Sequence, residues 1–187
     1  MLSLYHPCSG TIGKPSLGVN LKRKLSDYTF LFVVAGIILL LDQWTKYLVR
    51  SNLAPSEIWS PWPWLAPFAR IVHWQNTGAA FGMFQGFSAV FGVLAVVVSI
   101  AILYYFPLVP KEDKLIRLAL AMQLGGALGN LVDRLRFNGA VTDFVSVGNF
   151  AVWNVADASI TIGVAVLIMG MWLKERREAH PVSTSSA

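Results

Sequence analysis

The sequence has a single cysteine, Cys8, which excludes an intramolecular disulfide and a thiolate metal cluster. Charged residues are also scarce: they make up 13% of the 187 residues, whereas 55% are hydrophobic. Soluble proteins average about 25% charged residues, so this balance favours a membrane protein. The net charge of +5 comes from short basic runs beside apolar stretches, without the broad basic surface and stacking aromatics of a nucleic-acid-binding protein.

Histidine is scarce as well, with three scattered residues and no His-Glu-x-x-His motif, which disfavours a zinc peptidase. A serine nucleophile needs a base nearby. His73 with Ser146 or Ser159 is an open alternative, although no Gly-x-Ser-x-Gly motif supports it. Glycine-rich phosphate-binding motifs are absent, and the sequence predicts neither a metal nor an organic cofactor.

Four apolar stretches have about the 20 residues that are needed to cross a bilayer core of about 30 Å. The predicted spans are residues 28–49, 87–106, 115–132 and 155–173. They predict an all-α integral membrane fold with four transmembrane helices, in one domain covering residues 27–176. Residues 1–26 are rich in Gly, Pro, Ser and Lys and are expected to form a flexible basic arm, and residues 177–187 a disordered tail.

The distribution of Lys and Arg predicts the orientation, because cytoplasmic segments retain these residues. With both termini in the cytoplasm, ten of the 15 basic residues lie on the inner side: Lys14, Lys22, Arg23, Lys24, Lys111, Lys114, Arg117, Lys174, Arg176 and Arg177. The outer side then holds the other five: Lys46, Arg50, Arg70, Arg134 and Arg136. The asymmetry favours cytoplasmic termini.

The outer loop of residues 51–86 is unusually aromatic. Residues 58–65 carry three tryptophans and two prolines, as expected of a segment in the headgroup layer. Residues 70–75 have the pattern of a short strand, and residues 76–78 that of a turn. A small extracytoplasmic β element is therefore predicted, and a simple aromatic belt is the alternative.

Four aspartates converge under this topology. Asp42 and Asp133 lie late in outward-running spans, Asp157 lies at the start of an inward-running span, and Asp143 lies in the loop before it. Carboxylates at a membrane are costly, so a cluster of them at one surface is a functional signal. A proton-coupled carrier, the rival class, needs acids spread across the bilayer depth, and a noncatalytic scaffold is a further alternative.

Two of the acids also have a structural interpretation. Asp42 and Lys46 form an i,i+4 pair, and Asp157 near the start of a helix could serve in capping it. If Asp143 and Asp157 instead face each other, like-charge repulsion raises one pKa, and a shared proton makes one an acid and the other a base. Such a dyad activates water against an amide.

The third span ends in a run of small and polar residues. Its glycines, from Gly125 to Gly129, let helix backbones approach closely. Asn130 and Asp133 are three residues apart and share a face, and Arg134 can pair with an acid, which is expected to be Asp133.

Five motifs in order resemble lipoprotein signal peptidase, also called signal peptidase II: Leu41-Asp42-Gln43-Trp44-Thr45-Lys46, Asn76-Thr77-Gly78-Ala79-Ala80-Phe81-Gly82, Gly125-Gly126-Ala127-Leu128-Gly129-Asn130-Leu131-Val132-Asp133-Arg134, Val141-Thr142-Asp143-Phe144 and Asn154-Val155-Ala156-Asp157. The resemblance implies an aspartic endopeptidase of the bacterial inner membrane. It would act as a monomer on prolipoproteins, with membrane lipid as its surroundings, and cut before a diacylglyceryl-modified cysteine. Asp143 and Asp157 would be catalytic. The implied supporting or substrate-binding residues are Asp42, Lys46, Asn76, Gly78, Asn130, Asp133, Arg134 and Asn154.

Overall fold

The chain folds into four long helices and a small antiparallel sheet, in a computed structural model that describes residues 17–78 and 84–179. Within the first helix, side chains are described from Tyr28 onward. The helices are α1 (Leu17–Asn52), α2 (Ser88–Tyr105), α3 (Lys114–Arg136) and α4 (Val155–Ala179), and a 3₁₀ turn (Phe106–Leu108) follows α2. The strands are β1 (Ile58–Trp59), β2 (Ala69–Asn76) and β3 (Val141–Val147).

Four helical stretches are long and apolar enough to cross a bilayer, with 25, 21, 23 and 25 residues in chain order, and the second of them includes the 3₁₀ turn after α2. At about 1.5 Å per residue, even the shortest stretch reaches about 30 Å. Large apolar side chains cover the outside of the bundle; Leu40 is 71% exposed and Val93 is 64% exposed. Lipid tails solvate such side chains, so the chain is a multi-pass membrane protein. The predicted four-span fold is confirmed.

Helix α3 packs against each of the other three helices. Its glycines make the close approach sterically feasible. A Cβ atom at Gly125 would lie 2.8 Å from the carbonyl oxygen of Ala35 in α1, and one at Gly126 would lie 2.5 Å from the carbonyl oxygen of Ala156 in α4. The run of small residues therefore serves helix packing, as predicted.

An apolar core fills one end of the bundle. It brings together the early part of α1, the late part of α2 and the early part of α3. Its buried members are Leu31, Ala35, Ile102, Phe106, Ala121 and Leu124. The four converging aspartates lie towards the other end, where the sheet is attached.

The sheet has the order β1-β2-β3, with both pairs antiparallel. Ile58 of β1 pairs with Val72, and Trp74 of β2 pairs with Asp143 of β3. Strand β2 confirms the strand predicted over residues 70–75, and the predicted β element exists. Strand β3 was missed because six of its seven residues are buried or half-buried on both faces, which removes the alternation of apolar and polar side chains.

The boundaries of the predicted segments differ from those of the helices. Backbone from residue 17 is helical, so the arm predicted over residues 1–26 overlaps α1, and α4 continues to Ala179, beyond the predicted domain end at 176. Hydropathy marks only the apolar part of a helix, whereas backbone hydrogen bonds continue through polar turns. The remaining parts of the predicted arm and tail, residues 1–16 and 180–187, lie outside the described residues.

Candidate active site

Asp143 lies in the middle of β3 and is 2% exposed. Its two carboxylate oxygens accept hydrogen bonds from the Nδ2 atoms of Asn154, at 2.6 Å, and Asn76, at 3.0 Å. Burial and, to a smaller extent, the nearby charge of Asp157 together raise the pKa of Asp143 to about 7, against the lowering effect of the two amide donors. A carboxyl group with this pKa exchanges a proton near neutral pH.

Asp157 lies in the first turn of α4, and its environment combines both roles considered from the sequence. Its Oδ2 accepts from the backbone N–H of Asn154 at 3.3 Å, and its own N–H donates to Asn154 Oδ1 at 2.9 Å. This reciprocal pair is a capping box. Its Oδ1 accepts from Asn130 Nδ2 at 2.7 Å. The cap thus fixes the carboxylate while leaving it beside Asp143 in the same cavity.

Lys46 is completely buried and connects the polar groups of two helices, α1 and α3. Its Nζ lies 2.8 Å from Asp42 Oδ2, 2.9 Å from Asn130 Oδ1 and 3.4 Å from Asp133 Oδ2. The predicted i,i+4 pair of Asp42 and Lys46 is therefore confirmed. Because Lys46 bonds to the oxygen of the Asn130 amide, the amide nitrogen points towards Asp157.

Asp133 has partners that differ from those predicted. Besides Lys46, its Oδ2 lies 3.7 Å from Arg50 Nη1 and accepts from the backbone N–H of Thr142 at 2.9 Å. The expected pairing with Arg134 is wrong, because consecutive helix residues point about 100° apart and Asp133 faces α1. Asn130 and Asp133 do share a face, as predicted, since both contact Lys46.

Arg134 instead faces the cavity that Asp143 and Asp157 line. Its Nη1 donates to the carbonyl oxygen of Asn130 at 3.5 Å, and its Cζ lies 5.6 Å from the ring centroid of Phe91 in α2. Its Nε is buried and has no hydrogen-bond partner within the described part of the chain. Because Arg134 lines the cavity, its guanidinium group offers donors to a molecule that enters there.

Asp42 connects α1 to the start of α4. Its Oδ1 accepts from the backbone N–H of Ala156 at 2.9 Å, one of the amides that a helix start leaves without an internal partner. A Cβ atom at Gly129 would lie 2.6 Å from Asp42 Oδ2, so a glycine is needed opposite this carboxylate. Asp42 thus acts on Asp157 indirectly, by positioning the helix turn that carries it.

Three residues of this network were missed from the sequence: Gln43, Arg50 and Thr142. Gln43 Nε2 donates to Asp42, to Asp133 and to the carbonyl oxygen of Gly129, at 3.1–3.2 Å. Arg50 Nη1 donates to Thr142 Oγ1 at 2.9 Å. Gln43 and Arg50 follow the polar face of α1 that begins with Asp42 and Lys46, and this helical spacing was an available signal.

A cavity of about 550 Å³ surrounds the two aspartates. Gly78 lies at its edge, where its N–H donates to Asn76 Oδ1 at 2.9 Å and thereby turns the Asn76 amide nitrogen towards Asp143. Residues 79–82 of the same motif lie outside the described residues. The remaining wall is mostly apolar and comes from α2, α4 and the segment before α4: Phe91, Phe150, Ala151, Val152, Trp153, Ala158, Ile160, Thr161 and Ile162.

The serine alternative has no geometric support. His73 Nδ1 contacts the carbonyl oxygen of Leu53 at 2.8 Å, and Ser146 Oγ accepts from Arg70 Nε at 3.2 Å. Ser159 Oγ donates to the carbonyl oxygen of Ala156. Among residues 17–78 and 84–179, no group of three His, Cys, Asp or Glu side chains is arranged to hold a metal ion.

One buried and one half-buried carboxylate line the same cavity beside lipid-facing helices, an arrangement that suits a membrane enzyme. A solved bacterial membrane enzyme, determined by the in meso method at 2.3 Å resolution, has the same fold: the TM-score is 0.73, with 26% sequence identity, covering 85% of this chain and 95% of that chain. A second such enzyme, at 1.9 Å resolution, gives a TM-score of 0.67 with 28% identity, covering 76% of this chain and 92% of that chain.

The family model of signal peptidase (SPase) II matches residues 34–173. The lipoprotein signal peptidase of Halalkalibacterium halodurans is 40% identical over 150 residues, covering 78% of this chain and 94% of the relative. That of Moorella thermoacetica is 42% identical over 135 residues, covering 72% and 87%. The chain belongs to the signal peptidase II family and is a membrane peptidase.

Proposed function

We propose that this peptidase removes signal peptides from prolipoproteins by aspartic catalysis at Asp143 and Asp157, cutting before a cysteine that carries diacylglycerol. The observation that carries the proposal is the pair itself: two carboxylates line one cavity, and burial together with the charge of Asp157 raises the pKa of Asp143 to about 7. Two acids that share one proton supply both an acid and a base.

In the proposed mechanism the pair holds one proton at neutral pH. The ionised carboxylate takes a proton from a water molecule as the water oxygen attacks the scissile carbonyl carbon. The protonated carboxyl group donates its proton to the carbonyl oxygen, which forms a neutral tetrahedral intermediate. The C–N bond then breaks as the leaving amine receives the proton that the base took from water. At the same time the other carboxylate takes a proton from a hydroxyl group of the intermediate, which becomes the new carboxyl group. The pair is thereby returned to its singly protonated state.

Four amide and guanidinium groups are proposed to support this chemistry. Asn76, Asn130 and Asn154 hold the two carboxylates at fixed positions through hydrogen bonds of 2.6–3.0 Å. Arg134 is proposed to bind a carbonyl oxygen of the substrate, which its position in the wall of the cavity supports. These groups are held in place by three residues that do not line the cavity: Asp42, Lys46 and Asp133.

The position of the cavity supports a lipid-modified substrate. Its apolar wall lies between Phe91 of α2 and Ile162 of α4, both within membrane-spanning stretches. An acyl chain that enters from the bilayer would contact this wall, and burial contributes up to about 0.8 kcal/mol per methylene group. All of the proposed site residues come from one chain, which supports action as a monomer.

The test is cleavage of a synthetic precursor peptide by the purified chain, with the cysteine either diacylglycerylated or unmodified. We expect one defined cut before the modified cysteine and poor cleavage of the unmodified peptide. Equal cleavage of the two forms would show that the lipid is not recognised. Absence of any cut, in a protein that binds the lipidated peptide, would contradict the peptidase assignment.

We further propose that both termini are cytoplasmic and that the active site lies towards the outer side of the inner membrane. The basic residues support this orientation, since ten of 15 then lie inside. Reporters fused after Pro110 and after Ala187 should indicate the cytoplasm, and a reporter within residues 51–68 should indicate the outer side. An outer C-terminus would overturn the orientation.

A further inference from the structure

A second cavity, of about 610 Å³, lies behind the strand that carries Asp143. Neighbouring residues of a strand point to opposite faces, and here Asp143 lines the active-site cavity whereas Phe144 lines the second one. We call this second cavity the back groove. The outer end of α1 forms one wall and the sheet forms the other, with the lining residues Thr45, Leu48, Val49, Asn52, Leu53, Trp59, Ile71 and Phe144.

The back groove offers little to a polar occupant. Its two polar side chains already bond to the helix that carries them: Thr45 Oγ1 donates to the carbonyl oxygen of Leu41 at 2.8 Å, and Asn52 Nδ2 donates to that of Leu48 at 2.8 Å. A peptide in the groove would leave backbone N–H and C=O groups without partners. Hydrocarbon has no such requirement.

The groove also continues a surface that lipid already covers. Leu41, Trp44 and Leu48 are 46%, 59% and 40% exposed, and their spacing places them on one face of the membrane-spanning part of α1. Thr45 and Asn52 share this face, so the exposed stripe leads directly into the groove. Trp59, which is 52% exposed, stands at its mouth, and tryptophan prefers the level of the lipid headgroups.

We propose that the back groove binds one acyl chain of a membrane phospholipid, in the leaflet on the side of the active site. The acyl chain lies along the exposed stripe of α1, and the end of the acyl chain nearest the headgroup fits between Asn52 and Trp59. Phe144 is 7% exposed at the base of the groove, so the bound chain packs against the strand that presents Asp143. The proposal depends on the membrane fold and not on the proposed catalytic role of the aspartates.

The test uses the full chain in phosphatidylglycerol vesicles that contain a trace of phosphatidylglycerol with a diazirine within one acyl chain. After illumination, mass spectrometry of the digested protein locates the labelled residues. Labelling is carried out on the wild-type chain and on Asp143→Asn, so that the result is independent of catalysis. We expect labels on the groove residues at several times the level found on the lipid-facing residues Val93 and Val97 of α2.

Matched variants sharpen the test. Leu48→Trp and Ile71→Trp fill the groove from opposite walls, and each should lower groove labelling about tenfold, the effect of losing the burial of two methylene groups. Tyr47→Trp is the control, since Tyr47 is 62% exposed on the neighbouring face of α1 and does not line the groove. The groove residues of this variant should be labelled to the same level as those of the wild type. Two groove variants are used so that one misfolded protein does not decide the outcome.

Three outcomes would overturn the proposal. Equal labelling of the groove and of α2 would mean that lipid covers both surfaces without a site. Unchanged labelling in a folded Leu48→Trp or Ile71→Trp protein would place the lipid elsewhere. Displacement of the groove label by a diacylglycerylated precursor peptide, at a concentration that leaves α2 labelling unchanged, would make the groove part of the substrate site.

Discussion

Both ends of the helix bundle contain fully buried side chains, but these are apolar at one end and polar or charged at the other. At one end, α1, α2 and α3 bury apolar side chains such as Leu31, Phe106 and Leu124. At the other end, where α1, α3 and α4 meet, Asp42, Lys46 and Asp133 are buried without exposure to solvent. Apolar packing needs only matching volumes, whereas each buried polar atom needs a partner at hydrogen-bond distance.

This difference indicates what each end contributes. A buried ion pair is weak support for stability, because desolvation costs about as much as the attraction returns. The polar end therefore serves to hold Asp143 and Asp157 in place and contributes little to stability. The apolar end contributes the stability that keeps the polar end folded. Four predictions test this difference between the two ends of the bundle.

The largest effect is expected from the two proposed catalytic residues. Asp143→Asn and Asp157→Asn keep shape and hydrogen-bonding capacity but cannot exchange the proton, so each should abolish cleavage of a lipidated precursor while substrate binding is retained. The double variant should be no worse than either single one, because residues that act as a unit give non-additive losses. Asp113→Asn is the matched control at the apolar end, and it should cleave normally. Substantial cleavage by either single variant would contradict the assignment.

A large loss of stability is expected from Asp133→Asn. The change removes a fully buried negative charge that faces Lys46 and Arg50. Loss of one partner of a buried ion pair lowers stability by about 3–5 kcal/mol. Melting in detergent and cleavage per folded molecule are measured together, and activity should fall in proportion to the folded fraction. A stable variant that binds substrate but is inactive would instead give Asp133 a catalytic role.

Leu124→Ala tests the apolar end of the bundle. Leu124 is 1% exposed in the apolar core, and such a truncation costs about 2–5 kcal/mol through lost burial and the cavity that remains. The melting temperature should therefore fall about as far as in Asp133→Asn, but cleavage per folded molecule should stay at the wild-type level. A catalytic defect at equal folded fraction would show that the two ends are not independent.

A smaller effect is expected in the dependence of stability on pH. The pKa of Asp143 rises from 3.8 to about 7 on folding, so between these values the folded chain holds a proton that the unfolded chain has released. The contribution of Asp143 to stability is therefore complete below pH 3.8 and is lost as the pH rises through about 7. Asp143→Asn should flatten this part of the curve of melting temperature against pH. An unchanged slope would contradict the shifted pKa.

Much of the membrane architecture was determined by the sequence alone. The length of an apolar run decides whether it crosses a bilayer, and successive spans must alternate in direction, so Asp42, Asp133 and Asp157 had to meet at one surface. The i,i+4 pair of Asp42 and Lys46 and the cap at Asp157 are local and could also be predicted. So could strand β2, because its β-branched and aromatic residues stand directly before the turn of residues 76–78.

The partners within the active site were decided only by the tertiary structure. Arg50 and Thr142 are 92 residues apart, and Asp42 and Ala156 are 114 residues apart. Whether such groups meet depends on the rotation of each helix about its axis, which close packing at Gly125, Gly126 and Gly129 sets. The same rotation turned Asp133 towards Lys46 and Arg134 towards the cavity, although the two residues are adjacent in sequence. Spacing along a chain specifies a face of a helix, but only the packed neighbours specify what that face touches.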